Sequence, residues 1–221
     1  MSDRTWDNSH LGVAAVVAAI IPLMVLYHGT QESSGITLAR VSRAVGQAQN
    51  IRMVSLDPDS NQVIYELWIA RELNRTGILT PERCVVYDLA RGEKEDIVSG
   101  VVTRVGDSEL ANVREIGDNC LGFTSSGIRA DALGTRRDGP DGREVYEFTW
   151  DSRRIGGDPI PIRYEVEMDT STGLPVSIRL FRIELPENGW ICRSRVLFEY
   201  LTQARMRAVM AGESLVVAGS Y

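Results

Sequence analysis

The 221 residues predict a mainly β (α+β) domain, a curled antiparallel sheet with a few covering helices, preceded by one transmembrane helix. Three observations carry this. Leu11 to Tyr27 is a run of seventeen residues without a charge, several later segments alternate apolar and polar residues with period two, and short turns bearing Asp, Asn and Gly separate those segments.

The run LGVAAVVAAIIPLMVLY stands at the short end of the about 17 to 25 residues that cross hydrocarbon. Pro22 is compatible with this, because neighbouring groups in a membrane satisfy the carbonyl that a proline frees. A cleaved signal peptide has an apolar stretch of about 7 to 15 residues ending in small residues, whereas this one ends Leu26-Tyr27-His28-Gly29 with no lipobox cysteine. The expected organisation is a short tail (1–10), an uncleaved anchor (11–28), a polar spacer (29–35), a β domain (36–203) and a C-terminal tail (204–221) that reads equally as helix or strand.

Within Ile36 to Asn50, Leu38, Val41, Val45 and Ala48 form one stripe at helical spacing, with Ser34 or Thr37 as cap. The other face is not rich in lysine or arginine, so this helix is expected on its own domain's core and not on a membrane surface. Tyr65, Leu67 and Ile69 alternate with Glu66, and Arg83 to Leu89 is a short apolar run closed by Ala90-Arg91-Gly92-Glu93. From Gly106 to Asp141 periodicity weakens, and short helices are predicted at Ser108 to Arg114 and Ser126 to Leu133, each after a serine cap. Alternation then returns in its clearest form. Tyr146, Phe148 and Trp150 share one strand face, as do Ile162, Tyr164, Val166 and Met168, while Arg163, Glu165, Glu167 and Asp169 form the opposite, solvated face. Asp169-Thr-Ser-Thr-Gly173 turns into a strand through Ile183, and Asn188-Gly189 marks a hairpin before Trp190 to Leu201, so four consecutive strands make a meander.

Composition narrows the chemistry. With 24 basic against 30 acidic residues, a net charge of -6 and a pI near 5.1, no general field draws the chain to nucleic acid. Lys94 is the only lysine, which reads as codon bias. His10 and His28 flank the apolar run, leaving the domain without a histidine to act as base or ligand. Ser108 in Gly106-Asp107-Ser108-Glu109-Leu110 therefore lacks a triad partner and reads as a helix cap. Asp57-Pro-Asp59-Ser-Asn61 resembles the opening of a calcium loop, but Gln62 replaces its glycine and Trp68 its glutamate, so a hairpin loop fits better. Neither GxxxxGK[ST] nor GxGxxG occurs. Cys84, Cys120 and Cys192 contain no CxxC pair and allow three alternative disulfides, which leaves compartment and pairing open. No catalytic residue, cofactor or metal is predicted. Carboxylate chemistry at Glu165 and Glu167 is the weaker alternative, because i, i+2 carboxylates on a strand usually form a solvated face.

The candidate ligand-binding residues are Tyr146, Phe148, Trp150, Tyr164, Val166, Met168, Val196 and Phe198. Such a face is ordinarily plain core, but a sheet that curls beneath lid helices leaves room for an acyl chain.

The order of an N-terminal anchor, the helix LARVSRAVGQAQNIR, a hairpin, VVYDLARGE, a helical insert and IRYEVEMDTSTGLPVSIRLFRIE resembles the lipoprotein-carrier superfamily of LolA, LolB and RseB-like domains. It is most similar to the membrane-anchored versions of planctomycete-type bacteria. The resemblance covers Ile36 to Leu201, with the strand, D-x-x-T-G-L-P turn and strand as its most specific part. It implies a half-open β-barrel whose concave apolar face binds lipid or lipoprotein acyl chains without catalysis. It also implies a single-pass protein of the bacterial inner membrane with its C-terminal domain in the periplasm, although Arg40 and Arg43 lie on the far side of the anchor. A tethered domain cannot ferry cargo freely, which raises the alternative of an extracytoplasmic sensor or docking domain for a signalling protein in a sigma-factor regulatory system.

Overall fold

The computed structural model describes residues 36–118, 133–152, 160–183 and 189–211. The chain divides into two units, Met1–Ser34 and Gly35–Tyr221, and the described residues all belong to the second. The expected anchor, Leu11 to Tyr27, lies outside them. Among the described residues no helix is long and apolar enough to cross a membrane.

Helix α1 (Leu38–Gln47) opens the domain, capped by the Thr37 hydroxyl, which accepts the Arg40 N–H. Six strands follow: β1 (Asn50–Leu56), β2 (Val63–Ala70), β3 (Arg75–Thr80), β4 (Arg83–Asp88), β5 (Glu93–Asp96) and β6 (Val101–Arg104). After α2 (Asp107–Asp118) come β7 (Thr135–Asp138), β8 (Glu144–Ser152), β9 (Ile160–Met168), β10 (Pro175–Arg182) and β11 (Ile191–Tyr200), then α3 (Gln203–Met210). All pairings are antiparallel, in the order β6-β5-β4-β3-β2-β1-β11-β10-β9-β8-β7. Two meanders are thus joined side by side through β1 and β11, and the sheet is unclosed, with β6 and β7 at its edges. The predicted mainly β fold and the four-strand meander are present.

One local device closes four of the hairpins. Asp57, Asp88, Asp96 and Asp169 each accept, through Oδ1, the N–H groups of the residues two and three positions on, at 2.7 to 3.3 Å. The fifth residue of each turn, Asn61, Gly92, Gly100 or Gly173, takes a left-handed φ of 55° to 68° and donates its N–H to the aspartate carbonyl. Only glycine or asparagine reaches that conformation at low cost, which explains the recurrent D-x-x-x-G/N spacing. The Asp57 segment is therefore a hairpin loop, as its sequence predicts.

Apolar residues of β1, β2 and β8 to β11 gather in one cluster with Leu38, Val41 and Val45 of α1, and Ile78 of β3 packs against it. Laid flat, the seven strands from β8 to β3 would span about 29 Å at a spacing of about 4.8 Å, far wider than one helix of about 10 to 12 Å diameter. The sheet accordingly curls around α1. Helix α2 covers the same face further along, where Val113 meets Val85 and Tyr87. Its Glu109 accepts bonds from the Tyr87 hydroxyl at 3.0 Å and Lys94 Nζ at 2.8 Å, and those two donors hold the carboxyl below its ordinary pKa, Lys94 most strongly.

On the opposite face α3 buries Met206, Val209 and Met210 against Trp68, Ala70, Cys84 and Val86. Residues 203–210 of the ambiguous tail are thus a helix of the domain, begun by the Thr202 cap on the Arg205 N–H. One further expectation needs adjusting. Helix α2 starts at Asp107, so Ser108 sits inside its first turn and is not its cap. The helix expected at Ser126 to Leu133 lies outside the described residues except for Leu133, which bridges Thr37.

Candidate functional site

The concave face is built by period two along β8 to β11. Register pairs Tyr146 with Val166, Phe148 with Tyr164, and Trp150 with Ile162 across β8 and β9, then Tyr164 with Leu180 across β9 and β10, and Ile178 with Val196 across β10 and β11. All eight sequence-predicted residues come together on this face. Phe148, Trp150, Val166, Met168 and Phe198 are buried in it, while Tyr146, Tyr164 and Val196 are half-buried and packed against it. Close packing extends to the backbone of Gly134, where a Cβ would stand 2.7 Å from the Phe148 ring.

Trp150 and Tyr164 stack, their ring centroids 5.0 Å apart and their planes within 7°. The Trp150 Nε1–H is buried and has no hydrogen-bond partner among the described residues, an uncommon state for an indole donor removed from water. Burial raises the Tyr164 phenol above its usual pKa, and the positive charge of Arg182 acts against that rise. Tyr146 donates to Glu144 Oε2 at 2.6 Å, and its pKa is pushed up to about 12 by burial and then by that bond.

Arg182 belongs to this face and was not singled out from the sequence. The signal was available, since Ile178, Leu180 and Arg182 follow the same period of two. Arg182 is exposed, stands opposite Ile162, and holds no ion pair among the described residues.

The convex face of the same strands departs from its sequence reading. Arg163, Glu165 and Glu167 were expected to be solvated, but Glu165 is only 8% exposed and lies against Arg179 at 2.6 Å, Arg137 at 3.2 Å and Arg163 at 3.5 Å. Glu167 accepts from Arg143 at 2.9 Å and Ser177 at 2.8 Å; burial pushes its pKa up, and these two bonds outweigh that and hold it low. The Arg163 guanidinium also lies over the rings of Phe181, at 4.3 Å, and Trp190, at 4.9 Å. These carboxylates are engaged by arginines, an arrangement that serves cohesion of the sheet. Asp169 instead closes its turn.

Cys84 and Cys192 are free thiols, both raised in pKa chiefly by burial, and Cys120 lies outside the described residues. Among the described residues no group of three or more His, Cys, Asp or Glu could hold a metal ion. In comparisons with models of protein families and with curated proteins, nothing matches this chain.

Proposed function

We propose that this domain is a non-catalytic binding module that holds an acyl chain against its concave face while Leu11 to Tyr27 tethers it to a bacterial inner membrane, with the domain on the periplasmic side. The observation that carries the reading is the Trp150–Tyr164 stack on the concave face, with a buried indole N–H that has no partner among the described residues. An acyl chain gains about 25 cal/mol for each Å² of apolar surface it removes from water there. The similarity of IRYEVEMDTSTGLPVSIRLFRIE to the lipoprotein-carrier superfamily supports the same reading.

Native mass spectrometry of the full-length chain, extracted gently from membranes, tests it. Co-extracted lipid is expected on the wild type and its loss on Trp150→Asp, provided the variant keeps a native circular dichroism spectrum and a cooperative melt. A folded Trp150→Asp variant that carries as much lipid as wild type would refute the concave-face site. Carbonate-resistant membrane association tests the anchor, and a periplasm-specific reporter fused after Tyr221 tests the orientation.

A docking role in a signalling system is the second reading, and the β6 edge favours it. Val101 and Val102 of that outermost strand are 55% and 56% exposed, and an open edge offers unpaired backbone groups to an added strand. Absence of lipid from the wild type together with a stoichiometric protein partner lost on Val102→Lys would replace the first reading with this one.

A further inference from the structure

We infer that the concave site takes an ester-linked anionic lipid, whose anion pairs with Arg182 at the rim of β10 and whose ester carbonyl accepts the Trp150 indole N–H. This rests on the acyl-chain reading above and specifies the head group.

Two groups on one face lead to it. Ile178 and Leu180 belong to the concave core cluster, so alternation along β10 places Arg182 on the same side, one step beyond Leu180. Phe181, between them, lies on the convex side beneath Arg163 and Arg179. Arg182 is exposed and, among the described residues, holds no carboxylate. On the convex side of the same region Arg137, Arg143, Arg163 and Arg179 each contact one. An exposed arginine beside an apolar face is a ready partner for a carboxylate or phosphate.

Trp150 supplies the second group. It and Arg182 flank Ile162 from β8 and β10, two strand spacings apart, or about 10 Å between backbones. Its Nε1–H is buried and, among the described residues, unbonded, and Trp150 as a whole is more than nine-tenths buried. A hydrocarbon chain cannot accept that hydrogen bond. An ester carbonyl, several bonds from a phosphate head and at the top of the chain, can do so while the phosphate reaches Arg182. A free fatty acid has a single polar group and meets one of the two at a time, and a long-chain alcohol has no anion.

Photolabelling of the full-length protein in membranes tests this with three diazirine probes of equal chain length: lysophosphatidate, palmitate and hexadecanol. Labelled peptides are mapped by mass spectrometry. Wild type should show labelling of β8 to β10 that falls from lysophosphatidate to palmitate to hexadecanol. Arg182→Gln should lower lysophosphatidate labelling about tenfold, to the hexadecanol level, with Arg182→Lys intermediate. Trp150→Phe, which keeps an aromatic ring and removes the N–H, should bring lysophosphatidate down to palmitate.

Equal wild-type labelling by lysophosphatidate and hexadecanol, or no change in Arg182→Gln, would overturn the head-group assignment and leave the acyl-chain reading standing. Unchanged lysophosphatidate preference in folded Trp150→Phe would remove the ester contact. Failure of all three probes to label β8 to β10 would sink the acyl-chain reading itself.

Discussion

Glu66 offers the sharpest test of how the sheet holds together. It is 2% exposed on the convex side of β2, where its carboxylate accepts Arg52 Nε at 2.8 Å, Arg52 Nη2 at 3.0 Å and Trp68 Nε1 at 3.0 Å. The Arg52 side chain is 16% exposed and reaches Glu199 of β11 at 3.1 Å, so one guanidinium ties β2, β1 and β11 together where the two meanders meet. Its pKa is raised, first by the hydrogen bonds to Glu66. Glu66→Ala leaves that cation facing one carboxylate that is 38% exposed and strips the Trp68 N–H of its acceptor. Breaking a buried pair costs about 3 to 5 kcal/mol, and because Glu199 remains, the lower end of about 3 kcal/mol is expected. For a chain of this size that corresponds to a Tm lowered by about 6 to 12 °C. Urea and thermal melts followed by circular dichroism measure it. Replacing both partners, Arg52→Leu with Glu66→Leu, should recover most of the loss, because no unpaired charge is left buried. Glu199→Ala, which removes a more exposed partner, should cost under about 1 kcal/mol. A Glu66→Ala cost below about 1 kcal/mol, or no greater than that of Glu199→Ala, would refute the argument that burial sets the strength of this pair.

Three further outcomes are expected. Gly100→Ala meets nothing within 4 Å yet must hold φ at +67°, so it should lose about 1 to 2 kcal/mol from backbone strain alone, and Gly100→Asn should lose less; equal melts for both would contradict the turn argument. Gly77→Ala would place a Cβ 2.7 Å from the Trp68 ring, and a loss of about 1 to 3 kcal/mol in denaturant is expected from overpacking. Tyr146 should titrate near 12 by ultraviolet absorbance; since the folded state favours the protonated phenol, its stabilising contribution is complete below pH 10 and disappears as the pH rises from about 10 to about 12. Tyr146→Phe should remove that part of the alkaline decline, and an unchanged slope would show that the Glu144 bond and burial do not stabilise the phenol.

The strands carrying the candidate site were legible because their information is local. Period two in Tyr146-Phe148-Trp150 and in Ile162 to Met168 assigns each side chain to a face whatever the neighbouring strand turns out to be. The Asp169 turn was legible for the same reason, since an aspartate oxygen and a left-handed glycine act within five residues. Arg182 was equally readable and was passed over only because an exposed arginine at a strand end looks ordinary without its neighbours.

Tertiary structure decided what depends on register between distant segments. Alternation assigned Glu165 to the polar side but could not tell water from arginine there; the pairing of Glu165 with Arg179, and Arg137 reaching it from β7, turned that face into an ion-paired one. Glu66 looks like an ordinary polar alternate and becomes buried because Arg52 lies on the adjacent strand and α3 packs on Trp68 beside it. Residues 203–210 were ambiguous as an isolated string, since Met206, Val209 and Met210 form a helix stripe too short to stand alone, and the surface that stabilises it, Trp68, Ala70, Cys84 and Val86, lies more than a hundred residues earlier. By itself the sequence determined the faces and the turns, because these follow from the geometry of a few consecutive residues. Which faces became core and which became an ion network followed from the pairing of β1 with β11 and the curl of the sheet around α1, where burial and charge pairing are shared among segments that only folding brings together.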